Sequence, residues 1–185
     1  MRKLIVSNVM SLDGFFEGPE RGIGWFPADE EFFGYAKDML QSADMLLFGR
    51  ATYEHMAAYW PNAPADEIAD RMNNLPKLVV SSSLRQVAWK NSILVQGNIA
   101  EEISKRKQSR GRDIVLLGSS ILASWLLQQG LIDEYRVILA PLLLGRGSPL
   151  FKDTSKTIKF KLEKTRLLKS GVIVLYYQTN EGVSA

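Results

Sequence analysis

Residues Leu46 to Glu54 read LLFGRATYE: an apolar run, a glycine, a cation, and then a hydroxyl leading into helical spacing. A strand that ends in glycine and passes directly into a helix is the unit from which parallel α/β sheets are assembled. The fold class therefore turns on whether such units recur. Short β-rich apolar runs do recur, at Lys3 to Val9, Met45 to Phe48, Leu78 to Ser81, Ile93 to Val95, Ile114 to Leu117 and Tyr135 to Leu139.

The segments between these runs carry helical patterns. Asp29 to Gln41 places Phe32, Phe33, Tyr35, Ala36, Met39 and Leu40 on one stripe, with Glu30 and Glu31 at the electropositive end. Thr52 to Trp60 must stop before Pro61, and a helix within Asp66 to Asn74 must stop before Pro76. Glu101 to Arg110 is polar and closed by Gly111, whereas Ile121 to Gln129, closed by Gly130, is apolar enough to be buried. After Pro141 the pattern changes. Lys159 to Leu168 and Val172 to Gln178 are strand-like runs joined by Lys169-Ser170-Gly171, which predicts an antiparallel hairpin. The expected fold is α/β, with a mixed, mostly parallel sheet, helices on its faces and an antiparallel C-terminal hairpin. One domain is expected over residues 1–180, with a frayed tail at 181–185.

Bulk properties narrow the function. A chain of 185 residues with 46% hydrophobic content supports one sizeable core. Its 23 basic and 20 acidic residues leave a net charge of +3, which suits an enzyme for anionic small molecules at least as well as a nucleic-acid binder. The basic run Lys105, Arg106, Lys107, Arg110 and Arg112 is the solvated face and end of a helix, so no nucleic-acid partner is expected. The absence of cysteine excludes disulfides, thiolate metal sites and thiol nucleophiles, and suits a cytoplasmic protein. The apolar run after Met1-Arg2-Lys3 is too short for a signal peptide or a membrane span.

Several chemistries fall away. His55 is the only histidine, so histidine-rich metal sites are impossible, no metal is expected, and a serine hydrolase would have to use it as base. Gly118-Ser119-Ser120-Ile121-Leu122 has leucine where a nucleophile elbow needs glycine. No phosphate-loop or dinucleotide fingerprint is present. What remains is a pair of similar turns. Phe48-Gly49-Arg50-Ala51-Thr52 and Leu117-Gly118-Ser119-Ser120-Ile121 each place a glycine at a strand end just ahead of a helix, where free N–H groups and the helix dipole favour an anion. Lys77 to Ser83 adds a strand running out into three hydroxyls, Ser81, Ser82 and Ser83, which is also a plain polar loop by composition.

Together these segments resemble the dihydrofolate reductase-like superfamily, and more closely the reductase domain of bacterial riboflavin biosynthesis and its stand-alone relatives. The resemblance runs through VSNVMSLDGFFEG (Val6 to Gly18), LLFGRATYE, KLVVSSSL (Lys77 to Leu84), VLLGSSILASWLLQQGLIDEYRVILAPLLLGRGSPLF (Val115 to Phe151) and the C-terminal hairpin. It implies a three-layer fold and an NADPH-dependent reductase of a pyrimidine- or pteridine-like small molecule, akin to 5-amino-6-(5-phosphoribosylamino)uracil reductase. Dihydrofolate reductase and a non-catalytic nucleotide-binding module are the alternatives. By the same resemblance Gly49, Arg50 and Thr52 hold cofactor phosphates, Ser81 and Ser82 line the 2′-phosphate and adenosine, and Gly118, Ser119, Ser120 and Ile121 grip the pyrophosphate near the nicotinamide. The family often has two glycines where this chain has Gly118-Ser119. On the substrate side the resemblance implies Asp13 as substrate contact and proton donor, with Asp29 and Glu134 as further substrate contacts. Val9, Met10, Phe15 and Trp25 form a wall that can shelter the ring. Relatives also imply a homodimer.

Overall fold

The computed structural model describes residues 1–152 and 157–179; the predicted tail at 181–185 lies outside these. Elements follow in the order β1 (Leu4–Ser11), β2 (Phe15–Glu17), α1 (Glu30–Ser42), β3 (Ala43–Gly49), α2 (Arg50–Tyr59), a short 3-10 turn (Trp60–Asn62), α3 (Glu67–Asn74), β4 (Lys77–Val80) and β5 (Ser92–Val95). The second half adds α4 (Ile99–Gln108), β6 (Asp113–Leu117), α5 (Ser120–Gln128), β7 (Glu134–Ala140), β8 (Ser148–Pro149), β9 (Phe160–Leu167) and β10 (Ile173–Thr179). Eight strands form one sheet in the order β5-β4-β3-β6-β1-β7-β10-β9, and β2 pairs with β8 in a separate two-stranded ribbon.

The first six strands of that order are mutually parallel, and β10 turns antiparallel between β7 and β9. The inner strands are apolar without alternation because both of their faces are covered. Leu4, Ile5 and Val6 of β1, Leu46, Leu47 and Phe48 of β3, and Ile114, Val115 and Leu116 of β6 are all fully buried. The β9 edge, by contrast, is mostly exposed and rich in lysine, as an unpaired sheet edge requires. The predicted hairpin is present, and Gly171 takes its left-handed turn position at φ +81°.

Right-handed crossovers from this strand order place α1, α2 and α3 on one face of the sheet and α4 and α5 on the other. Cross-element hydrogen bonds agree with that placement. Arg71 of α3 donates to the carbonyls of Leu40 (2.9 Å) and Ala43 (2.8 Å) at the end of α1. Lys107 of α4 reaches the Leu131 carbonyl (2.9 Å) and Asp133 (2.7 Å) in the connection after α5. Lys77, at the start of β4, is fully buried and donates to the carbonyls of Asn73, Leu75 and Lys90 at 3.0, 2.8 and 3.2 Å. Its ammonium also sits 4.3 Å from the Trp89 ring centre. Burial, with Lys90 nearby, pulls its pKa down to about 8, yet the three carbonyls give the charged form its full set of acceptors.

Candidate functional site

In a parallel sheet every carboxyl end lies on one edge, and the crevice there opens where neighbouring strands send their helices to opposite faces. In this sheet β6 meets that condition on both flanks, against β3 and against β1, and the two glycine turns meet on its β3 side. Neighbouring strands lie about 5 Å apart, so the Gly49 and Gly118 turns stand side by side, flanked by Ser81 at the end of β4 and Ser11 at the end of β1.

The two turns touch. A Cβ built on Gly49 would come within 3.0 Å of Ser119 Cβ, and one on Gly118 would lie 2.9 Å from Thr52 Cγ2 and 3.6 Å from Phe16 Cζ. The glycines are therefore required by packing between the turns themselves. Gly118 and Ser119 both have left-handed φ, +69° and +56°, so the serine follows the backbone path that the second glycine of the related motif would take at lower cost.

The N-termini of the five α-helices differ in a telling way. Asp29, Asp66, Asn98 and Ser119 cap α1, α3, α4 and α5 with their side chains, whereas α2 begins after Gly49 with no side-chain cap and no acidic residue in its first turn. Its orphan N–H groups and positive dipole end thus stand at the crevice with no side-chain cap among the described residues. Arg50 stands at the same corner, half-exposed, with only a 3.6 Å contact to Glu54 one turn on. Beside it, Ser81 is buried and its Oγ accepts from the backbone N–H groups of Ser83 (3.2 Å) and Leu84 (3.0 Å). Ser81 therefore shapes the turn, while the Ser82 side of the turn stays exposed. In the α5 turn, Ser119 Oγ accepts from Leu122 N–H at 3.3 Å, Ser120 is buried, and Ile121 is 73% exposed at the rim.

The predicted substrate residues fare differently. Asp13 lies beside the crevice, but its carboxylate is engaged within the protein. Oδ1 accepts from Ser11 Oγ (2.6 Å) and Leu144 N–H (3.1 Å), and Oδ2 accepts from Gly145 N–H (2.7 Å). These donors, Ser11 foremost, hold its pKa down to about 2. The structure thus places the expected proton donor as an anchor between the two loops. Asp29 is the N-cap of α1, accepting from Phe32 N–H at 2.8 Å, and that bond keeps it below the usual carboxylate range; its carboxylate serves the helix. Glu134 lies at the wrong end of the sheet. It pairs with Ile5, whereas the crevice end of β1, Ser11, pairs with Ala140. Six residues of strand put it about 20 Å away, where it binds Arg136 (2.6 Å) and Lys3 (3.6 Å).

The ring-sheltering wall is also shifted by one residue. Phe16, buried and against Gly118, faces the junction of the two turns in the place expected for Phe15. Phe15 and Glu17 pair instead with β8, and a three-residue strand was too short for its alternation to reveal that. Trp25, half-buried near Gly18, has an indole N–H that is buried without an acceptor among the described residues. His55 is exposed on α2, and no group of three or more His, Asp or Glu residues able to hold a metal ion occurs among the described residues. No helix among the described residues is long and apolar enough to cross a membrane.

A sheet of this order, with paired strand-to-helix turns at its switch point and an antiparallel C-terminal hairpin, defines a dihydrofolate reductase-like α/β domain. Within that class the chain belongs to the RibD C-terminal domain family, whose model matches residues 2–174. The uncharacterized protein YyaP of Bacillus subtilis (strain 168) is 34% identical over 97% of this chain and 96% of its own. Among solved structures, a candidate riboflavin biosynthesis protein from Shewanella sp. PV-4 superposes with a TM-score of 0.75 at 21% identity, covering 97% of this chain and 99% of that one. Dihydrofolate reductase from Enterococcus faecalis, complexed with NADP(H), does so with a TM-score of 0.65 at 16% identity, covering 97% of each chain. The family is that of riboflavin-type reductases.

Proposed function

We propose that this protein is an NADPH-dependent reductase of a pyrimidine- or pteridine-like small molecule, similar in chemistry to 5-amino-6-(5-phosphoribosylamino)uracil reductase. The observation that carries this reading is the uncapped, acid-free N-terminus of α2 with Arg50 beside it. It suits an anionic phosphate, and the adjoining Ser119–Leu122 turn supplies a second set of N–H groups one strand away. Membership of the family and the NADP(H)-bound neighbour support the choice of cofactor.

When bound, a reduced nicotinamide supplies a hydride to an electrophilic carbon of the substrate. The chain contributes binding, orientation and exclusion of water. Phe16 walls the junction of the turns, and Thr52 packs against Gly118. With Asp13 ionised, the balancing proton comes from water.

The test is a titration with NADPH and NADH. NADPH is expected to bind more tightly, and Arg50→Ala to lose about 10–100-fold in NADPH affinity, the worth of one charge-assisted contact to phosphate. NADH, which lacks the 2′-phosphate that the resemblance places opposite Arg50, should bind the variant about as well as the parent, and the melting temperature should change little, because the Arg50–Glu54 pair is exposed. No measurable binding of either nucleotide would refute the proposal.

A further inference from the structure

The loop between β1 and β2 is fastened to the loop between β7 and β8 at every step of its path. Leu12 N–H donates to the Leu142 carbonyl and Leu150 N–H to the Gly14 carbonyl, each at 2.9 Å. Phe15 and Glu17 pair with Pro149 and Ser148. Gly147 passes so near the Glu17 carbonyl that a Cβ there would collide with it. Among these fastenings one is made by a side chain. Asp13 grips two consecutive N–H groups of the opposite loop, Leu144 and Gly145, while Ser11 Oγ holds the carboxylate on one side and accepts from Phe15 N–H (3.0 Å) on the other. Gly14, at φ +87°, turns the chain directly behind it and sends Phe16 onto Gly118 and the region of Thr52.

We propose that Asp13 is a positioning residue that clasps the β1–β2 loop to the β7–β8 loop, so that Phe16 covers the Gly49/Gly118 corner and retains the nucleotide bound there. The covering half of this statement rests on the cofactor reading above; the clasp itself does not. Asp13 acts at a distance, through Phe16, and touches neither hydride donor nor acceptor. Its reach explains why an exposed aspartate in a turn has both oxygens engaged: a turn alone would need only the Ser11 and Gly14 contacts.

Two readouts on the Asp13→Asn protein separate clasp from cover. Asparagine keeps the shape but replaces one carboxylate oxygen by an N–H₂ group, so at most one of the Leu144 and Gly145 N–H groups keeps its acceptor. Exchange of at least one of those two amides is expected to quicken about tenfold or more while the amides of β1 and β6 stay protected. NADPH dissociation, followed by stopped flow, is expected to quicken by about tenfold as well, with the melting temperature within a few degrees of the parent. A purely structural turn would not change the dissociation rate selectively. Leu144 and Gly145 amides as protected as in the parent would overturn the clasp. Freed amides with unchanged NADPH dissociation would overturn the cover. A parent protein that binds no NADPH would remove the cover together with the cofactor reading, and the exchange data would still decide the clasp. Should Asp13→Asn fold poorly, Asp13→Ser, too short to span the loops, repeats the measurements.

Discussion

Ser119 holds a left-handed backbone while capping α5 through a long 3.3 Å bond. The conformation costs a non-glycine residue about 1–2 kcal/mol, and the cap returns about 1 kcal/mol. Ser119→Gly relieves the first and loses the second, so its stability is expected within about 1 kcal/mol of the parent. Ser119→Ala keeps the strain and loses the cap, and is expected to fall about 1 kcal/mol lower. Urea unfolding of both decides it: equal midpoints would show that the serine is unstrained. Asp13 gives the second residue-scale prediction. Its folded pKa of about 2 lies below the ordinary 3.8, so its contribution is present above the higher value and lost as pH falls through the lower one. Protection of the Leu144 and Gly145 amides should hold at neutral pH and decline as acid passes through that window, whereas Asp13→Asn should show no such decline. These residues also show what local sequence can convey. The strand-to-helix junctions at Gly49 and Gly118 were readable because the pattern that marks each is five residues long. The partners of Asp13 in the opposite loop, Leu144 and Gly145, lie more than 130 positions away, and nothing near Asp13 announces them. Glu134 was misread because its neighbours reveal a strand but not which edge of the sheet its first residue occupies.

At the scale of elements, α3 and β4 form a compact unit held by Lys77. The lysine fills the place of a C-terminal cap for α3, and its three carbonyl acceptors would lose their donor in Lys77→Met. That variant is expected to lose about 2–4 kcal/mol, the cost of leaving buried carbonyls unpaired. Urea midpoints measure it, and a loss under about 0.5 kcal/mol would show the cage to be ornamental. Sequence patterning located all five helices and the eight strands of the main sheet to within one to three residues at most ends, because caps, prolines and apolar periods are local signals. It missed β2 and β8 because strands of three and two residues carry no period; only their pairing defines them. It also missed Lys77, which reads as the polar first residue of a strand.

The whole molecule is organised by one sheet whose order interleaves early and late strands. The eight strands of the main sheet and their hairpin were foreseeable from sequence, and the resemblance supplied the architecture; the adjacency of β3 and β6, which brings the two glycine turns together, is a tertiary fact that no single segment encodes. β1 lies between β6 and β7, pairing Leu4 with Ile114 and Ile5 with Glu134. A chain ended at Gly130 lacks β7 and everything beyond, leaving β1 with one open flank. Such a chain is expected to melt without cooperativity, as read by circular dichroism and calorimetry; a sharp transition would show that the first 130 residues fold alone. The central position of β1 also fixes a schedule. At about 5–20 residues per second, the ribosome releases Leu4 roughly 5–20 s before Ile114 exists to receive it. The first strand made is thus among the last to be zipped, and the nascent chain must keep an apolar β1 solvated or chaperoned until its neighbours arrive.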